Sequence, residues 1–67
     1  MYFSDKLLQY IEDNGINRSI LAQKFGVSTT MIHKYIEKNA QPKYQLARKI
    51  EVITNHYISM REMGYAD

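Results

Sequence analysis

Gly26 lies between Phe25 and Val27, four residues after Ala22, in the run Arg18-Ser-Ile-Leu-Ala-Gln-Lys-Phe-Gly-Val-Ser-Thr-Thr-Met-Ile-His-Lys-Tyr-Ile-Glu37. Two helices that cross steeply through a very short turn make specific demands on sequence. Close approach needs a small residue on the first helix, which Ala22 supplies. A sharp turn needs a positive φ, which glycine adopts without a Cβ penalty. Apolar residues on both sides of the turn must plug the angle, as Phe25 and Val27 can. The second helix must return apolar side chains to the same core, and Ile32 and Tyr35 are spaced to do so.

Helical punctuation extends beyond this run. Ser4 suits the N-cap of a first helix, with Asp5 in its first turn and Leu7, Leu8 and Ile11 as its apolar stripe. Asn14-Gly15 would end it. Asn17 suits the cap of a second helix carrying Ile20, Leu21 and Phe25, and Ser28 the cap of a third, through Ile36 and Glu37. After the Asn39-Ala40-Gln41-Pro42 loop, Leu46, Ala47, Ile50 and Ile53 mark a fourth, closed by Asn55. Ser59 suits the cap of a short fifth helix from Met60 to Met63, stopped by Gly64. Apolar and polar residues nowhere alternate as a strand requires.

The expectation is an all-α single domain over residues 1–67, a compact bundle of five short helices. Its expected core is Leu8, Ile11, Leu21, Ala22, Phe25, Val27, Ile32, Tyr35, Leu46, Ile50 and Ile58, joined by Phe3, Ile36 and Ile53. Such a chain buries only about 60% of its unfolded surface. With no cysteine it has neither a disulfide nor a thiolate for zinc.

Charge is unevenly spread. Between residues 18 and 49 the basic residues are Arg18, Lys24, Lys34, Lys38, Lys43, Arg48 and Lys49, against Glu37 alone, a balance of +6. Residues 1–17 (Lys6 against Asp5, Glu12 and Asp13) and 50–67 (Arg61 against Glu51, Glu62 and Asp67) each carry −2. A positive centre suits a polyanion partner, although a lysine-rich solvated surface has the same composition.

Leu21, Ala22, Phe25, Gly26, Val27, Ile32 and Tyr35 stand at the spacing of the Cro and lambda-repressor-like family of phage helix-turn-helix regulators, which this sequence resembles. The likeness continues through Pro42-Lys43-Tyr44-Gln45-Leu46-Ala47-Arg48-Lys49-Ile50-Glu51 and covers roughly residues 4–58. It implies a helix-turn-helix at 18–37, whose second helix reads the major groove of double-stranded operator DNA. It also implies that residues matching Ser28, Thr29, Thr30, His33 and Lys34 touch DNA.

A helical wheel at about 100° per residue agrees with that assignment. Thr29, His33, Glu37, Thr30 and Lys34 fall on one arc, and Met31, Tyr35, Ile32 and Ile36 on the other. Lys34 can donate to guanine or to a phosphate. Thr29 and Thr30 can bond base edges or offer a methyl to thymine, and His33 can donate or accept. Arg18, Gln23 and Ser28 are better placed for backbone phosphates, and Lys38 and Lys43 can extend that track. Glu37 could accept from cytosine but, at the far end of the helix, better suits a solvated or salt-bridged role.

The expected function is a sequence-specific transcriptional repressor on a palindromic operator, a homodimer at least on DNA. A protein-interaction or antitoxin-like module is the alternative on the same scaffold, and an architectural role in recombination or packaging a third. No enzymatic constellation stands out. The serines lack a nucleophile elbow, no glycine-rich phosphate loop is present, and His33 and His56 lack further metal ligands nearby. No cofactor, metal or small-molecule ligand is expected. The start is not a secretory signal, so the expected location is the cytoplasm, with no membrane partner. Tyr44 could bond a phosphate or cover the core edge. The apolar tail of Tyr57, Ile58, Met60, Met63 and Tyr65 could pack inward or form a dimer interface.

Overall fold

The computed structural model describes residues 3–65; Met1, Tyr2, Ala66 and Asp67, at the ends of the expected 1–67 domain, lie outside it. Four α-helices follow one another: α1 (Phe3–Asn14), α2 (Arg18–Phe25), α3 (Thr29–Glu37) and α4 (Tyr44–Ile53). The described residues contain no strand. The expected fifth helix is a single 3-10 turn, Arg61–Met63. Met60 and not Ser59 is its N-cap, and Ser59 stands one residue ahead, its Oγ accepting from the Glu62 amide at 3.3 Å while Glu62 Oε1 accepts from the Ser59 amide at 3.0 Å. This reciprocal box is a normal helix start. Here Gly64 turns left-handed after three residues (φ 93°), too soon for a run of i−4 bonds.

Local chemistry explains most boundaries. Asn17 Oδ1 accepts from the Ile20 amide at 2.8 Å, and Ser28 Oγ from the Met31 amide at 3.2 Å, both in the capping geometry expected of them. At the end of α1 the Gly15 and Ile16 amides reach back to the Glu12 and Ile11 carbonyls; at the end of α2 those of Gly26 and Val27 reach Gln23 and Ala22. Each pair closes a Schellman motif around a left-handed glycine. Asn55 (φ 53°) plays that part after α4, where its amide bonds Val52 O and the His56 amide bonds Glu51 O.

Ser4 is not the cap of α1, because the helix already includes Phe3 and Ser4 is buried within its first turn. The buried stripe is Phe3, Leu7 and Tyr10, whereas Leu8, expected in the core, is 43% exposed. Two aromatic contacts set the roll of α1. Phe3 packs on the Tyr35 ring at 5.6 Å between centroids, and Tyr10 on Tyr57 at 5.7 Å. Leu8 lies about 100° around the helix from Leu7 and is turned outward.

The core centres on Leu7, Leu21, Phe25, Ile32, Ala47, Ile50 and Ile58, each fully buried, with Ala22 and Tyr35 almost so. Burying a side chain such as Leu21 or Phe25 contributes about 1.5–3 kcal/mol. Ile11, Val27, Ile36, Leu46 and Ile53 are only partly buried around its edge. α3 packs on both α1 and α2, and α4 packs on α2.

After α4, Thr54 Oγ1 donates to Ile50 O at 2.8 Å and accepts from the Ile58 amide at 3.2 Å, so this buried hydroxyl is satisfied. The tail then folds inward. Ile58, Met60 and Met63 are buried, Tyr65 Oη donates to Pro42 O at 2.6 Å, and Gln41 Nε2 donates to Met63 O at 3.0 Å. Pro42 itself is fully buried one residue ahead of the α4 cap, Lys43. Of the two readings of the tail, the burial of Ile58, Met60 and Met63 supports packing within one chain. Among the described residues no helix is long and apolar enough to cross a membrane.

Candidate nucleic-acid interface

Three residues, Gly26, Val27 and Ser28, separate α2 from α3. Gly26 holds φ 72° and ψ 31°, and Val27 is half-buried beneath the turn. Ala22, on α2, is buried at 3% exposed. The turn therefore hands the chain from a buried Phe25, through a half-buried Val27, to a capped helix start.

α3 is two-faced. Ile32 and Tyr35 are buried, Met31 and Ile36 half-buried, and Thr29, Thr30, His33, Lys34 and Glu37 all exposed. Burial also pushes the Tyr35 phenol above its ordinary value, as befits the inward face. Each residue of the polar arc expected from the sequence is thus exposed. Ser28 is exposed at its head, where the Thr29 and Thr30 amides precede any i−4 acceptor. Lys38 is exposed as the C-cap of α3, Lys43 as the N-cap of α4, and Gln23 on the outer side of α2. Among the described residues no carboxylate pairs with Lys34, Lys38 or Lys43.

Arg18, expected at a backbone phosphate, makes its contacts within the chain. Its Nη1 lies 2.6 Å from His33 Nδ1 and 3.2 Å from Glu37 Oε1, and its side chain is only 31% exposed. The first residue of α2 is therefore clipped across the middle and end of α3. His33 and Glu37 are one turn apart on α3, so a single guanidinium spans both. Glu37 takes the salt-bridged role that its position suggested.

Lys49 joins the surface although the motif did not point to it. Its Nζ stands 2.9 Å from where a Cβ on Gly26 would be, placing an ammonium over the turn. Its presence in the basic segment was the available signal; the packing of α4 on α2 brings it there. Tyr44 is 51% exposed and meets Tyr65 edge-on at 5.5 Å, covering the docked tail.

Other features are chemically sparse. A hollow of about 220 Å³ between Phe3, Ala40, Gln41 and Met63 has Glu62 as the one ionisable residue among the described residues of its lining. That carboxylate is already engaged by Ser59 and by Lys6 at 3.4 Å. Among the described residues no group of three or more histidine, cysteine or acidic side chains could hold a metal. Comparison of the chain with protein-family models, with curated proteins and with solved structures returns no match.

Proposed function

We propose that the chain is a sequence-specific DNA-binding protein of the Cro and lambda-repressor-like kind, in which α2, the Gly26 turn and α3 form a helix-turn-helix. α3 would lie in the major groove of operator DNA. One observation carries this reading: Thr29, Thr30, His33 and Lys34 are exposed together on one face of α3, with Ile32 and Tyr35 buried on the other. A solvated surface helix needs no such turn before it and no basic surround. Here Lys34, Lys38, Lys43 and Lys49 supply positive charge where a phosphate backbone would run.

The roles divide by chemistry. Thr29, Thr30 and His33 reach base edges, Lys34 a guanine or a phosphate, while Ser28, Gln23, Lys38, Lys43 and Lys49 set register through phosphates. A short helix reads few base pairs, so the protein acts as a homodimer on a palindromic site, with half-sites about 34 Å apart or a multiple of it. That dimer would use a surface other than Ile58, Met60 and Met63, which are internal; Val52 on α4, 71% exposed, lies on an available one. Repression by promoter occlusion, in the cytoplasm of a bacterial or phage-infected cell, follows from the family resemblance.

Titrating a random-sequence duplex library at two salt concentrations, then sequencing what is retained, tests the reading. Enrichment of an inverted repeat is expected. Retention without enrichment would favour an architectural role, and no retention even at low salt would leave a protein-interaction module as the better account.

A further inference from the structure

The contact between Arg18 and His33 has a directional consequence. A guanidinium has five N–H donors and no acceptor. At 2.6 Å from Arg18 Nη1, His33 Nδ1 must be the accepting nitrogen and carries no proton. The neutral ring then bears its hydrogen on Nε2. Glu37 Oε1 accepts from the same Nη1 at 3.2 Å and holds the guanidinium in place. His33 itself is exposed, at the centre of the polar arc of α3.

We propose that Arg18, held by Glu37, fixes His33 as a hydrogen-bond donor at Nε2, so that α3 selects a base presenting an acceptor at the position His33 faces. Guanine O6 and N7, adenine N7 and thymine O4 are such acceptors in the major groove; cytosine presents the N4 amino donor and is disfavoured. This assignment rests on the proposed DNA-binding function. It makes His33 a specificity-determining side chain for one base position and Arg18 a positioning residue. An imidazole otherwise serves as donor or acceptor through either nitrogen, and a ring free to exchange tautomers would discriminate poorly.

Two measurements on the full chain test the proposal. Ring-nitrogen NMR of the free protein at mildly alkaline pH, where imidazole is neutral, should show the Nε2–H tautomer for His33 and a mixture in Arg18→Met. This readout needs no DNA, and the wild-type spectrum does not depend on a variant folding. Library selection should then show one position at which cytosine is disfavoured about 10-fold, with that preference lost in both Arg18→Met and His33→Ala while the other positions persist. An Nδ1–H tautomer in the wild type overturns the proposal. So does an Arg18→Met variant that weakens binding evenly across all sequences, since Arg18 would then be a phosphate contact. If the wild type retains no duplex at all, the DNA-binding function falls and the base preference falls with it, even with the tautomer as described.

Discussion

The Tyr57 hydroxyl donates to Asp13 Oδ2 at 2.8 Å, joining residues 44 positions apart in the chain. The same ring packs on Tyr10 and lies 4.5 Å beneath the Lys6 ammonium, so the tail is held to α1 by polar and apolar contacts together. Their weights differ. Tyr57→Phe keeps the ring and removes one exposed hydrogen bond, and should cost under about 1 kcal/mol. Met63→Ala empties a buried site, 2% exposed, and should cost about 2–5 kcal/mol. Urea unfolding of both variants checks the ranking; equal losses would contradict it.

Leu7 and Leu8 offer a direct test of how α1 is rolled. Leu7 is fully buried and Leu8 is 43% exposed. Leu7→Ala should cost about 2–5 kcal/mol, and Leu8→Ala less than about 1 kcal/mol. A larger loss at Leu8 would mean that α1 presents its other stripe to the core.

Gly26 and Gly15 separate backbone strain from crowding. Both are left-handed, at φ 72° and 60°. A Cβ on Gly15 meets nothing within 4 Å, whereas one on Gly26 meets Lys49 Nζ at 2.9 Å. Each alanine variant should lose about 1–2 kcal/mol for the backbone. The flexible end of Lys49 can swing aside, so the two losses should agree within about 0.5 kcal/mol. A much larger penalty at Gly26 by thermal melting would show Lys49 to be fixed over the turn.

Glu62 gives the stability a dependence on acid. Its partial burial would raise the carboxyl pKa, but hydrogen bonds from the Ser59 amide and hydroxyl and from Lys6 outweigh that and hold it below the usual 4.5. A depressed folded value means stabilisation that is complete above the unfolded value and lost as pH falls through the folded one. Wild-type urea midpoints should therefore begin to drop near pH 4.5 and below, and Glu62→Gln should flatten that part of the profile. Parallel profiles for the two proteins would remove Glu62 from the acid response.

Under the DNA-binding function proposed above, Lys34→Ala distinguishes a phosphate contact from a guanine contact. Loss of a phosphate contact weakens binding uniformly and lowers the salt slope by about 1. Loss of a guanine contact relaxes one base position, at about 1–3 kcal/mol. No change in either measurement would take Lys34 out of the interface.

What could be read from the sequence is what local chemistry determines. Asn17 and Ser28 cap because a short polar side chain can reach an amide two or three residues on. Gly26 and Asn55 end helices because they tolerate a left-handed φ. The polar arc of α3 follows from 3.6-residue periodicity within nine residues, with Ile32 and Tyr35 marking the other side.

Other features needed the assembled molecule. Apolar residues at 3, 7, 8, 10 and 11 offer α1 two overlapping stripes, and only the rings of Tyr35 and Tyr57 choose between them. Arg18 carries a long side chain whose direction its own helix does not set; the crossing of α2 over α3 brings His33 and Glu37 within its reach. Capping and periodicity act over one or two turns of chain, so residue order suffices where it offers a single cap and a single stripe, as in α3, and not where it offers two, as in α1. The roll of α1 and the aim of Arg18 depend on partners 15 to 47 positions away, and those partners exist only once the helices have packed.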